Sequence, residues 1–153
     1  MKLLFTWDLA TTGANVSISD GVSSGAMFAW DVTDALGDLL RCLVQLLQGY
    51  EYAWCHWEDD PGGHRWVFTR DGSNVHIKIL RFPDSFVGYG APEEWADSYF
   101  ETACSLLKFA TKARNEARRL LHERGVDGYG RRRKFPVSEY EALRQLIRER
   151  QAR

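Results

Sequence analysis

Residues 51–82 have the sequence EYAWCHWEDDPGGHRWVFTRDGSNVHIKILRF, in which three runs of alternating apolar and polar residues are separated by two turn sequences. The first turn, residues 60–63, has Pro61 where a type II turn needs its fixed φ. The second turn, residues 71–74, has Gly72, which suits a two-residue hairpin loop. This pattern predicts an antiparallel meander of three strands.

The two turns also predict the register of the meander. If Asp60 pairs with Gly63, then Trp57 lies opposite Trp66, because each step away from the turn adds one residue to both strands. The same counting predicts the cross-strand pairs Cys55–Phe68, Glu58–Arg65, Phe68–Ile77 and Trp66–Ile79. One face then collects Ala53, Cys55, Trp57, Trp66, Phe68, Val75, Ile77 and Ile79. We expect this face to form the core under a leucine-rich helix.

The opposite face of the meander mixes aromatic, charged and aliphatic side chains. It comprises Tyr52, Trp54, His56, Glu58, Arg65, Val67, Thr69, His76, Lys78 and Leu80. Protein interfaces are enriched in Trp, Tyr and Arg, so this composition is typical of a contact surface. The alternative is that a second long helix packs on this face, with Trp54 and Leu80 in a smaller second core.

The segments before the meander predict strands followed by a helix. Alternating apolar residues favour strands at residues 3–9, 15–19 and 26–30. The helix begins after a cap at Asp31 or Thr33 and is ended by a glycine, Gly49. Its apolar stripe comprises Leu36, Leu39, Leu40, Leu43, Val44, Leu46 and Leu47.

Helical periodicity after the meander predicts a long second helix from Pro92 to Arg124. Ser138 and Glu141 have the spacing of a capping box for a last helix. The predicted fold class is α+β, with one antiparallel sheet of about five or six strands packed by the leucine-rich helix and the long second helix. The predicted order of elements is ββ(β)αβββαα.

A chain of 153 residues favours one domain. We predict a single α+β domain at residues 1–124, a basic, glycine-containing linker at residues 125–136 and a C-terminal helix at residues 137–153. If the linker is mobile, that helix can pack on a neighbouring subunit, which leaves a homo-oligomer as an open alternative.

Charge is divided unevenly along the chain. Residues 1–100 carry 6 Lys/Arg against 14 Asp/Glu, and residues 101–153 carry 14 against 7. Separate acidic and basic surfaces favour a protein that binds partners over one built around a catalytic pocket. The three Cys have no paired spacing, and neither a signal-peptide pattern nor a long apolar run is present. We therefore expect a cytoplasmic protein with no membrane association.

No chemical motif in the sequence specifies a reaction. The predicted register places His56 and His76 two strands apart, and Cys55 points to the opposite face from His56, which disfavours a metal site or a Cys nucleophile. The carboxylates of residues 58–60 are explained by solvation at a hairpin tip as well as by acid catalysis. We predict no catalytic residue, no metal and no cofactor. A small hydrolase or transferase stays as an alternative.

The basic end of the chain favours a second alternative, a protein that associates with nucleic acid. Lys and Arg neutralise phosphates, although the near-neutral total charge is unlike that of most nucleic-acid-binding domains. The candidate residues are Arg114, Arg118, Arg131, Arg132, Arg133 and Lys134.

Residues 30–82 also carry a resemblance. Its features are Ala35-Leu36 with Leu39-Leu40, the sequence WEDDPGG at 57–63 followed by Arg65-Trp66, and the apolar residues Val75, Ile77, Ile79 and Phe82. In this pattern the chain resembles small uncharacterised bacterial proteins, including immunity proteins that neutralise polymorphic toxins. The resemblance implies a non-enzymatic inhibitor that blocks a partner protein, and acidic strand tips would suit a basic toxin domain. The predicted partner-binding residues are Trp54, His56, Glu58, Asp59, Asp60, Arg65 and Lys78.

Overall fold

A computed structural model of the chain describes residues 2–86 and 90–153. The strands in these residues are β1 (Leu4–Ala10), β2 (Gly13–Ser19), β3 (Ser24–Trp30), β4 (Tyr52–Glu58), β5 (Gly63–Asp71), β6 (Asn74–Phe82) and β7 (Asp97–Ser105). The α-helices are α1 (Ala35–Leu47), α2 (Leu106–Arg124) and α3 (Val137–Gln151). A short 3-10 helix, Glu93–Trp95, precedes β7.

The described strands form two antiparallel sheets, with the orders β1-β2-β3 and β4-β5-β6-β7. The predicted α+β class is confirmed, and so is the order of its first seven elements, including a third strand before the leucine-rich helix. The prediction of a single sheet is wrong, because α1 separates β3 from β4 in the chain. The inner faces of the two sheets meet instead, with the Trp7 and Trp57 rings 5.1 Å apart.

The register of the first hairpin differs from the predicted one by two residues. Glu58 pairs with Gly63, so that Cys55 lies opposite Trp66 and His56 lies opposite Arg65. The reason is a wider loop over residues 59–62, closed by the Asp59 N–H donating to the Gly62 carbonyl at 2.9 Å. A shift by two residues keeps every side chain on its predicted face. The second turn forms as predicted and brings Phe68 opposite Ile77 and Trp66 opposite Ile79.

The prediction of a helix beginning at Pro92 is wrong. Residues 97–105 form β7, and Phe100, Thr102 and Cys104 alternate into the interior beside β6. The helical spacing of apolar residues across this stretch is therefore coincidental. Helix α2 begins only after Ser105, whose hydroxyl accepts a hydrogen bond from the Lys108 N–H at 3.2 Å and caps the first turn.

Helix α1 begins at a different capping residue from those predicted. Asp34, rather than Asp31 or Thr33, caps α1 by accepting from the Gly37 N–H at 3.2 Å. A Cβ at Gly37 would lie 2.2 Å from the Asp34 carboxylate, so glycine is what allows this cap. The predicted end at Gly49 is confirmed by its φ of 109°.

The predicted capping box of α3 does not form. The helix already includes Val137, and Pro136 at its N-cap accepts from the Tyr140 N–H at 3.0 Å, which places Ser138 inside the first turn. The Phe135 and Tyr140 rings pack edge-to-face across this start, with their centroids 5.5 Å apart. Because Phe135 and Tyr140 are buried, α3 is joined to the main core at its beginning.

Trp66 lies at the centre of an aromatic cluster that joins both sheets and α2. Its ring centroid lies 5.0 Å from that of Trp57, 6.1 Å from Phe68, 6.2 Å from Phe5 and 6.3 Å from Phe109. All five side chains are at most 5% exposed. Burial of an aromatic side chain of this size contributes roughly 1.5–3 kcal/mol, and edge-to-face pairs add to that.

Two side chains of α2 bind the outward backbone of β1. The backbone N–H of Trp7 donates to the Glu116 carboxylate at 2.8 Å, and the backbone carbonyl of Trp7 accepts from the Arg119 guanidinium at 2.7 Å. Arg119 also pairs with Glu116 at 2.9 Å, with Glu123 at 3.1 Å and with Asp8 at 3.5 Å. This network fixes α2 along the free edge of the three-stranded sheet.

Candidate functional site

The predicted contact face of the second sheet centres on Arg65. Its guanidinium carbon lies 5.0 Å from the centroid of the Trp54 ring and 4.6 Å from that of Phe82. One of its nitrogens donates to the carbonyl of Ala91 at 2.8 Å. Arg65 is thus held between two aromatic faces, a geometry that attracts a cation most strongly when water is excluded.

A histidine and a glutamate lie beside this stack. The His56 Nε2 is 3.3 Å from one oxygen of Glu58, and the other oxygen accepts from the Phe86 N–H at 2.9 Å. The His56 ring also packs edge-on against Phe82 at 5.5 Å. Burial lowers the pKa of His56, although the Glu58 carboxylate opposes that shift.

Residues 83–86 and 90–96, which we call the covering segment, lie over this face. His56 is 1% exposed, Glu58 5% and Arg65 6%. Ala91 packs with Val67 and Leu80 in a small second core, which the sequence analysis gave as an alternative. The covering segment lies over this core, and the second helix does not. That helix packs instead against β1, β6 and β7.

The predicted partner-binding residues therefore separate into three groups, and Trp54 belongs with Arg65 in the first of them. His56, Glu58 and Arg65 are brought together, and they support the covering segment from below. Asp59 and Asp60 lie at the hairpin tip, where Asp60 is exposed. Lys78 is half-buried and lies opposite Glu101 of β7, away from that tip. Direct contact of these residues with a partner stays a prediction.

The hairpin tip and the covering segment are joined by hydrogen bonds. The Ser85 hydroxyl donates to the Asp59 carbonyl at 3.1 Å and accepts from the Gly62 N–H at 2.7 Å. This brings Asp84 of the covering segment beside Asp59 and Asp60. We call the carboxylates of the tip and of the adjoining residues 83–86 the acidic surface; they are Asp59, Asp60 and Asp84.

The acidic surface is not neutralised by basic side chains. In the part of the chain that the structure describes, none of its three carboxylates forms an ion pair. Two large apolar side chains of the covering segment are exposed, Phe86 at 69% and Trp95 at 63%. Sequence reasoning missed Asp84, Phe86 and Trp95 because it placed residues from Pro92 onward in a helix and treated the preceding stretch as a connection.

Several of the predicted nucleic-acid residues contact other groups of the protein. Arg132 pairs with Asp31 at 3.5 Å, and Arg133 donates to the carbonyls of Asp31 and Val32 at 3.2 and 2.6 Å. Lys134 lies 3.5 Å from Asp127. Arg131 is exposed, as is Arg118 on α2, while Arg114 is half-buried and bonds to Asn115. Nucleic-acid binding stays a prediction.

The segment at residues 125–136 makes several contacts with the rest of the protein. Tyr129 and Phe135 are buried with their rings 5.7 Å apart, and the Phe135 N–H donates to the Val126 carbonyl at 3.0 Å. Arg150 of α3 also donates to the Leu47 carbonyl. The division into a domain, a linker and a terminal helix, with the homo-oligomer it would permit, stays a prediction.

Across residues 2–86 and 90–153, no three His, Cys, Asp or Glu side chains are grouped closely enough to hold a metal ion. Within the same ranges, no helix has the length and apolar character needed to cross a membrane. The three cysteines are free and buried, as a core role requires, and burial raises the pKa of Cys104 to about 11.

A polar cleft of about 590 Å³ lies between the outward face of the first sheet and one end of the second. Thr6, Asp8, Asn15, Ser17 and Phe28 line it from the first sheet. Asp59, His64, Arg81 and Tyr99 line it from the second. One feature of the sequence indicated this cleft, because His64 is a polar residue on the predicted core face. That residue alone does not predict that two sheets meet here.

We expect His64 to make the protein less stable as the pH falls from 7 to 4. Burial lowers the pKa of His64 from its ordinary 6.5 to about 4 in the folded protein. Between these values the unfolded chain binds a proton that the folded protein does not, so the folded state loses about 3 kcal/mol. A His64→Gln variant does not have this loss. Its free energy of unfolding relative to that of the wild type should therefore rise by about 3 kcal/mol between pH 7 and pH 4, as measured by urea unfolding.

The comparison with the variant removes the contribution of other groups. Asp38, whose pKa burial raises to about 6, titrates in the same range with the opposite sign, but it does so in both proteins. A stability difference between wild type and His64→Gln that stays constant over this pH range would contradict the prediction.

No protein-family model matches the chain, and no curated protein or solved structure matches it either. The grounds for a functional proposal are therefore the geometry and charge of the surfaces described above.

Proposed function

We propose that this chain is a non-enzymatic protein-binding module, of the kind that inhibits a partner as an immunity protein does, and that it binds a basic partner protein through the acidic surface. One observation carries the proposal: Ser85 joins two acidic segments that are distant in sequence into one surface with no ion pairs among the described residues.

Collecting like charges costs stability, since each carboxylate repels its neighbours. A basic partner would reverse that cost, because the same carboxylates then attract and orient it. Complementary charge chiefly raises the rate of encounter and excludes wrong partners. The acidic surface therefore favours binding of a basic protein surface over binding of nucleic acid at this end of the molecule.

The exposed aromatic side chains supply the apolar part of such an interface. Trp and Phe anchors provide much of the binding energy of interfaces when they become buried. Phe86 has a φ of 60°, a conformation that costs a bulky residue roughly 1–2 kcal/mol, and its N–H is held by Glu58. The Phe86 ring also lies 5.8 Å from that of Trp30 on β3, so the residue packs on the first sheet and still keeps most of its surface exposed for contact.

We expect reversal of charge on the acidic surface to weaken partner binding at least tenfold. The test uses the triple variant Asp59→Lys, Asp60→Lys, Asp84→Lys as immobilised protein in an extract of the source organism, with and without nuclease. Any protein retained by the wild type is then purified, and its affinity is measured at two salt concentrations. The affinity for the wild type should fall as salt rises.

The matched control changes the net charge equally at a distance from the acidic surface, in the triple variant Asp71→Lys, Asp127→Lys, Glu149→Lys. It should keep wild-type affinity within about twofold. Equal binding of the retained protein to both triple variants would refute the role of the acidic surface. Retention that disappears with nuclease would instead favour the basic residues of α2 and residues 131–134.

A further inference from the structure

We infer that the polar cleft between the two sheets is a binding site for a short neutral saccharide. Its volume of about 590 Å³ is within the range of small-molecule sites in proteins, roughly 300–1,000 Å³. Its lining combines aromatic rings with carboxylate, amide, guanidinium, imidazole and hydroxyl groups. The site is separate from partner binding in its chemistry, although Asp59 lines both surfaces.

The wall of the cleft is already formed without a ligand. The Tyr99 hydroxyl donates to the Ala26 carbonyl at 2.6 Å and accepts from the Ala26 N–H at 3.2 Å. Its ring packs on Gly25, where a Cβ would lie 3.1 Å from the Tyr99 ring. These contacts hold β7 against β3, so a ligand does not have to order the cleft when it binds.

A buried imidazole in this wall has an unused hydrogen-bonding atom. His64 is 4% exposed, and its Nδ1 has no hydrogen-bond partner among the described residues. Its ring packs edge-on against Tyr99 at 5.4 Å. This nitrogen is itself enclosed by protein, so a ligand reaches it only when the His64 ring turns toward the cleft. Leaving a buried polar atom unpaired costs about 1–3 kcal/mol.

The charges around the cleft favour a neutral ligand. Asp8 already lies 3.5 Å from Arg119, so its charge is partly balanced inside the protein. Asp59 and Arg81 have opposite charges on the second-sheet side of the cleft. A polyanion would face two carboxylates, and an apolar ligand would strip water from groups it could not pair with.

A saccharide satisfies these groups without adding charge. Its hydroxyls both donate and accept, so they can bond to Asp8, to Asn15 and to Arg81. The C–H faces of a pyranose ring are apolar and carry a slight positive charge, which suits the negative faces of aromatic rings. Phe28 and Tyr99 provide such rings in the lining.

The test is a titration of the ¹⁵N-labelled full chain at pH 7, followed by amide chemical shifts. The probes are cellobiose, maltose, lactose and N-acetylchitobiose, with ATP as a polyanion and glycylglycine as a zwitterion. We expect at least one disaccharide to give saturable shifts on the strands that line the cleft. Asn15→Ala and Arg81→Ala should each weaken its binding at least tenfold.

Thr69→Ala is the matched control, because Thr69 is exposed on β5, five residues from His64, and does not line the cleft. It should leave saccharide affinity unchanged. Absence of saturable shifts with every saccharide, or shifts that persist in Asn15→Ala and Arg81→Ala, would overturn the inference. Saturable binding of only ATP or only glycylglycine would overturn it too, by assigning the cleft to another ligand class. These variants leave the acidic surface intact, so failure here is distinguishable from failure of the proposed function.

Discussion

Trp66→Ala is expected to lower the free energy of unfolding by about 3–5 kcal/mol, the usual cost of replacing a buried aromatic residue by alanine. The ring is fully buried and has four aromatic neighbours from both sheets and α2. A cavity at this position would loosen the contact between the sheets as well as the second sheet itself. Urea unfolding followed by far-ultraviolet circular dichroism would measure the loss.

The matched control is Trp95→Ala, which makes the same chemical change at a side chain that is 63% exposed. It should change the free energy of unfolding by no more than about 0.5 kcal/mol, as for most surface substitutions. Domains of this size are stable by only about 5–15 kcal/mol, so Trp66→Ala would remove a large share of the total. A loss below about 1 kcal/mol for Trp66→Ala would contradict the central position of this ring.

Arg65→Ala should cost about 4 kcal/mol of stability, although arginine is rarely a core residue. The change removes a cation between two aromatic rings, worth about 2 kcal/mol or more when shielded from water. It also leaves the Ala91 carbonyl without its donor, which costs about 1–3 kcal/mol. Thermal and urea unfolding of the variant would measure the effect.

Arg65→Lys tests whether charge or shape is responsible. Lysine keeps the positive charge but lacks the flat guanidinium that fits between Trp54 and Phe82, so it should recover less than half of the lost stability. Arg118→Ala, at an exposed position of α2, is the control and should be nearly neutral. Full recovery by lysine would show that the stacking geometry is unimportant.

Local patterns in the sequence were sufficient to predict much of the fold. Alternation placed Ala53, Cys55 and Trp57 on the buried face, and this held even though the hairpin register is shifted by two residues. The register depends on the length of the loop. A hydrogen bond from the Asp59 N–H to the Gly62 carbonyl closes that loop, and the alternating pattern does not encode it. Long-range contacts, such as the meeting of the two sheets, have no local signature.

The candidate sites were harder to predict than the fold. The prediction that Arg65, His56 and Glu58 lie on one face is confirmed. Their exposure was not predictable, because the covering segment buries them and part of that segment was predicted to be helical. Asp59 and Asp60 were predicted as partner-binding residues from charge alone. Their grouping with Asp84 depends on one serine hydroxyl, and no periodicity in a single sequence encodes that contact.

The network of Glu116 and Arg119 on β1 has a consequence for the protein at high concentration. An edge strand with free backbone groups can template the addition of a strand from another chain, which is a route to aggregation. At the middle of β1, the outward amide and carbonyl of Trp7 are already occupied by these two side chains. At this point of β1 the helix α2 therefore takes the place that a strand of another chain would need, and its charged side chains oppose sheet extension there.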